Sequence, residues 1–103
     1  MDRLPFAKPL RVVAPDLLRA YCRFHPGCEV DGCRRPPARE PHHLVPRSRG
    51  RSDLHENLLR LCLTHHREWH HVGGVEWWRR YGNRLLDDAR VKVQRALGLR
   101  EPA

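Results

Sequence analysis

At 103 residues the chain is sized for one domain, and a body this short buries only roughly 60–65% of its unfolded surface, so apolar packing alone leaves it marginal. Its 20 basic side chains outnumber 12 acidic ones for a net charge of +8, and since only Lys8 and Lys92 are lysines the charge is almost wholly guanidinium. The planar guanidinium fork matches phosphate, so the balance points first to nucleic acid, with an anionic membrane surface second and plain solubility or an Arg-favouring codon bias as the bland account.

No stretch approaches the roughly 18–20 consecutive apolar residues that cross a bilayer, and Met1 to Lys8 lacks the apolar core of a signal peptide. A cytoplasmic protein with no membrane partner is therefore expected. In that reducing setting four cysteines beside eight histidines speak for metal binding rather than disulfides.

Residues 1–25 read as an N-terminal arm followed by a short packing helix from Pro15 to about Arg23. Residues 26–71 hold three of the four cysteines, seven of the eight histidines and a Pro/Arg-rich run from Arg34 to Pro41, with too few apolar residues for a core of their own. Cys28 and Cys33 flank a turn in which Gly32 permits the bend, and Cys62 and His65 form a second pair two residues apart. Two such knuckles make a tetrahedral site suited to a structural Zn2+, which would join segments about thirty positions apart and supply folding energy. Cys22 and His25 are competitors for a ligand position, Cys22 being read as a helix-buried thiol.

The stretch Glu40–Pro46 predicts a short strand in which His42 and His43 point to opposite faces and so cannot share one job. A polar loop, Arg47 to Glu56, leads to a second predicted strand over Asn57–Cys62. A helix then follows, with Thr64 as its N-cap. On it His66 and His70 stand four residues apart, on one face, the spacing by which helical histidine pairs hold a metal. His55 and His71 carry no role and are expected to be exposed. From Gly74 the apolar spacing predicts two helices broken near Gly82 and Asn83, the second closing at Gly98. Trp77, Trp78 and Tyr81 either stack on bases or, as aromatics at helical spacing more often do, fill the core.

Cys28, Cys33, His42-His43, the loop Pro46-Arg47-Ser48-Arg49-Gly50, Asn57-Leu58, Leu61-Cys62, His65-His66 and His70 together resemble the HNH endonucleases of the ββα-metal fold, above all the small phage and prophage members with zinc knuckles. The resemblance spans positions 28 to 71. It departs from the family pattern at His65, where a fourth zinc-binding cysteine is usual, and at Arg51, where a second glycine is common.

The resemblance implies a small α+β fold over residues 1–103: a zinc-stapled ββα-metal core over 26–71, flanked by the N-terminal helix and by C-terminal helices over 74–98. It implies His43 as general base, Asn57 as the group holding the base's imidazole, and His42, His66 and His70 as ligands of a catalytic divalent ion, with Arg47, Arg49 and Arg51 as phosphate contacts. Mn2+, Ni2+, Co2+, Zn2+ or Mg2+ would serve as that ion. The expected activity is nicking of DNA with little sequence preference by a monomer or weak dimer, and phage packaging proteins are a class of partner the resemblance allows. The main rival is a non-catalytic, zinc-stapled nucleic-acid-binding module. An interaction protein built on the Trp77-Trp78 helices is a third class, one that leaves the middle of the chain without a role.

Overall fold

The structure, a computed structural model, describes residues 13–45 and 52–99. Helix α1, Pro15–Phe24, opens with a proline whose ring presets the first helical φ, carries Asp16 in its first turn and Arg23 in its last, and stops at His25. His25 precedes Pro26 and is pushed out of the helical region, to φ −126 and ψ 79.

Strands β1, His42–His43, and β2, Leu58–Leu59, form an antiparallel pair in the register His42 to Leu59 and His43 to Leu58. Both are shorter than the expected Glu40–Pro46 and Asn57–Cys62. Asn57 ends a 3-10 turn, His55–Asn57, and the rest of the apolar run changes partner: Cys62 bridges Pro37, and the Leu61 carbonyl accepts from Ala38 N. Pro36, Pro37 and Pro41 lack the N–H groups a continuous ladder needs, so one strand is shared between two short neighbours.

Helix α2, Leu63–Val72, is capped by Cys62, whose sulfur accepts from His65 N at 3.4 Å. Thr64, the expected N-cap, sits instead inside the first turn and is exposed, because the thiol one turn edge earlier already takes the unpaired N–H. Helix α3, Gly74–Tyr81, begins directly after Gly73, and α4, Asp87–Leu97, follows a 3-10 turn at Gly82–Arg84 and closes on left-handed Gly98. The break and the closing glycine stand where the spacing placed them. Among the described residues no helix is long and apolar enough to cross a membrane.

The core gathers Val30, Leu44, Leu59, Leu61, Trp69, Trp77, Trp78, Leu85, Ala89 and Val93, with Cys28 and Cys62 built into it. Trp77 and Trp78 are thus core residues, and Trp77 also donates its indole N–H to the His65 carbonyl at 3.0 Å. At the α2–α3 junction a Cβ on Gly74 would stand 2.8 Å from Trp69 Cζ2 and 2.9 Å from Leu97 Cδ2. Gly74→Ala is accordingly expected to destabilise the fold by about 1–3 kcal/mol through overpacking, outweighing alanine's better helix propensity, and a urea melt measures it.

A buried polar chain ties α1 and α4 to the middle of the molecule. Lys92 Nζ donates to Tyr21 Oη at 2.6 Å and to the Leu58 carbonyl at 2.8 Å, Tyr21 donates to Glu29, and Glu29 Oε2 accepts from Arg60 N at 2.7 Å. The Arg60 guanidinium donates to the carbonyls of Cys22 and His25 at the C-terminal end of α1, where carbonyls lack helical partners. These contacts fix α1, and with it Ala14, against the segment that carries Asp53.

Candidate metal centres

Two groups of metal-binding side chains form, on either side of the first turn of α2. In the first, Cys28, Cys33, Cys62 and His65 each bring one ligand atom, all within 4.8 Å of one another. The turn at Asp31-Gly32, with Gly32 at φ +82, returns Cys33 towards Cys28, while the cap of α2 places Cys62 and His65 together. Cys33 Sγ lies 3.9 Å from Cys62 Sγ, and His65 Nδ1 lies 3.4 and 3.3 Å from Cys28 and Cys62 Sγ. A tetrahedral zinc with bonds of about 2.3 Å to sulfur and 2.0–2.1 Å to nitrogen requires ligand edges of about 3.8 and 3.6 Å, so the donors fit that ion. All four cysteines of the chain are free thiols.

Burial pushes the Cys28 thiol up to about 12, so a captured ion must displace its proton. His65 is held below the ordinary imidazole range, chiefly by burial, and is neutral with a lone pair to give. Neither competitor joins the group. Cys22 sits half-buried on α1, and His25 stacks on Tyr21 at 4.2 Å with Nδ1 3.5 Å from Glu29.

The second group is His42 from β1 with His66 and His70 from α2, again one ligand atom each within 4.8 Å of one another. His42 Nδ1 lies 3.0 Å from His66 Nδ1, inside the spacing of about 2.9–3.4 Å that two nitrogens on one ion adopt at bonds of 2.0–2.1 Å. The ring of His42 is buried edge-on against Trp69, and its Nε2 has no hydrogen-bond partner among the described residues. Burial, reinforced by His66, His70 and His43, lowers its pKa to about 3, and burial likewise lowers that of His66. Both rings are therefore neutral donors near pH 7. A buried pair of neutral imidazoles with an orphaned nitrogen is costly unless a cation organises it.

His43 stands outside this group, as strand alternation requires. Its Nε2 lies 2.8 Å from Asp53 Oδ1, with the imidazole 15% and the carboxylate 1% exposed. Asn57 does not hold this ring, contrary to the expectation. Its Oδ1 accepts from Val45 N at 2.7 Å, and its Nδ2 donates to the carbonyls of Ser52 at 2.8 Å and Val45 at 3.3 Å. An amide facing backbone on both edges has no hydrogen left for an imidazole, so Asn57 clamps the two ends of the 46–51 loop instead. Arg47, Arg49 and Arg51 lie outside the described residues. His55 and His71 are exposed, His55 meeting Tyr21 edge-on.

No family model, curated protein or solved structure matches this chain. The donor sets must speak for the chemistry. Three thiols and an imidazole make a closed, four-ligand set able to bind zinc or a similar soft metal, whereas three imidazoles leave part of an ion's coordination sphere to water or a ligand. Asp53 is the functional candidate that spacing did not single out. It lies in a polar loop with no periodic signal, ten residues from the histidine it meets.

Proposed function

We propose that the chain is a small metal-dependent DNA endonuclease of the HNH type, in which β1, β2 and α2 form a ββα-metal unit held on a structural zinc at Cys28, Cys33, Cys62 and His65. One observation carries this reading: a four-donor cluster suited to structure and a three-donor cluster suited to catalysis sit on one helix, next to an imidazole, His43, that belongs to neither. A purely structural site fills its coordination sphere from protein, and a catalytic one keeps a position open.

Phosphodiester hydrolysis needs positive charge on the scissile phosphate and a base for water. A divalent ion held by His42, His66 and His70 would supply that charge, and the neutral nitrogen set suits Mn2+, Co2+, Ni2+ or Zn2+ better than Mg2+. His43 supplies the base. One ring nitrogen takes a proton from water while the other donates to Asp53; the hydroxide bonds to phosphorus, the bond to the leaving sugar oxygen breaks, and that oxygen takes a proton from solvent. The net charge of +8, carried by arginine, favours phosphate contacts that are nearly blind to sequence. With one such cluster per chain, each encounter cuts one strand. A non-catalytic binding module would need the cysteine cluster and the arginines but neither the open three-histidine set nor the His43–Asp53 pair.

The test is conversion of supercoiled plasmid to nicked circles with each of the five divalent ions. Nicking that stops on adding EDTA and falls roughly 10²–10⁴-fold in His43→Ala is expected from the loss of a general base. Intact plasmid with every ion would overturn the reading.

A further inference from the structure

We propose that Asp53 is the positioning residue of the site: it locks His43 in the tautomer with its proton on Nε2 and so presents Nδ1 as the lone pair that receives the proton from water. The proposal rests on His43 being the base of the reaction set out above. The carboxylate is buried, and its two oxygens have different tasks. Oδ1 lies 2.8 Å from His43 Nε2, and Oδ2 accepts from Ala14 N at 2.8 Å.

A neutral imidazole carries one donor and one acceptor nitrogen, and which is which is set by its neighbour. An ionised carboxylate only accepts, so the nitrogen facing it bears the hydrogen. The second contact makes the arrangement directional. Ala14 N–H is a backbone donor at the start of α1, and α1 is anchored through the Tyr21, Glu29 and Arg60 contacts, so this donor can neither reverse its polarity nor readily move away.

The consequence is specific to one substitution. In Asp53→Asn the amide has a single oxygen for two sites that both faced acceptors. If the oxygen turned to His43, the NH2 would meet the Ala14 N–H donor to donor. The backbone cannot change, whereas the imidazole can move its proton, so the oxygen goes to Ala14 and the NH2 to His43 Nε2. The proton then sits on Nδ1, and the lone pair meant for water is lost. A side chain of unchanged size and shape thus reverses the tautomer of a residue ten positions away.

The experiment is long-range proton–nitrogen correlation NMR on the full chain labelled with 15N, in alkaline buffer where the imidazole is neutral, alongside plasmid nicking and DNA binding. The parent is expected to show His43 protonated on Nε2, and Asp53→Asn to show it protonated on Nδ1, with nicking down roughly 10²–10⁴-fold, as loss of a positioned base costs, and DNA affinity unchanged. An Nε2 proton persisting in Asp53→Asn overturns the proposal, as does a reversed tautomer with undiminished nicking. Should that variant fail to fold, the parent still decides: a slowly exchanging Nε2 proton is expected, and an Nδ1 proton overturns the assignment. If the tautomer reverses but the parent nicks no plasmid with any ion, the Asp53 lock stands and the endonuclease reading falls.

Discussion

Cys62→Ser is expected to leave the domain unfolded at room temperature and to empty the cysteine cluster of metal. Cys62 is almost fully buried and does three things at once: its sulfur belongs to the four-donor group, caps α2 through His65 N, and sits where the chain bridges Pro37. A hydroxyl is a hard, protonated donor on a shorter bond, so it replaces the thiolate in none of these. Metal binding to such sites is worth an apparent 10–16 kcal/mol, as large as the whole net stability of about 5–15 kcal/mol of an ordinary domain. With so small a core, little remains once the ion is gone. The measurement is metal content after dialysis against a weak chelator, with far-ultraviolet circular dichroism on the same sample. Cys33→Ser serves as the graded comparison, since Cys33 is only half-buried and caps no helix. A Cys62→Ser protein that melts cooperatively with its zinc retained would remove the staple from the account of this fold.

What could be read in advance follows the range of the forces involved. The two knuckles and the His66, His70 pair depend on spacings of two to five residues within a turn or a helix, and local geometry alone brings such groups together. The helix break near Gly82 and the stop at Gly98 are local in the same way. The strands came out too long because hydrophobic patterning over Asn57–Cys62 says that a segment is extended without saying with whom it pairs, and the prolines at 36, 37 and 41 divided it between two neighbours. The helix cap passed from Thr64 to Cys62 because a thiol that gathers with metal ligands is also free to accept an amide, a competition that propensity scales do not contain. Least visible were the contacts that cross the chain. Lys92 to Tyr21 spans 71 positions, Arg60 to Glu29 spans 31, and Asp53 to Ala14 spans 39. No periodicity announces such pairs, and each is a polar group that looks solvated until its partner is known. The role of Asn57 fell to Asp53 for that reason: both are polar loop residues, and only the fold shows which one faces the ring and which faces backbone.

His66→Ala is expected to abolish nicking while the fold and the cysteine-bound metal remain. His66 offers a nitrogen 3.0 Å from that of His42, yet it is half-buried on the solvent side of α2 and its removal opens no hole in the core. Without it His42 and His70 remain, one nearly inaccessible and one exposed at the end of the helix, too few to hold an ion in place against water. Metal content should therefore drop by the weakly held ion alone, and a thermal melt should stay close to that of the parent. His43→Ala separates the base from the ion: nicking is lost with both metals still bound, because His43 is in neither donor group. His70→Ala lies between, since an exposed third ligand tightens the site without creating it; the expected result is a higher metal concentration for half-maximal nicking at an unchanged plateau. Titrating Mn2+ against nicking rate for the three variants, with metal content measured on each, distinguishes these outcomes. Full activity in His66→Ala, or nicking that continues in EDTA, would remove the three-histidine ion from the mechanism and leave the cluster a structural one.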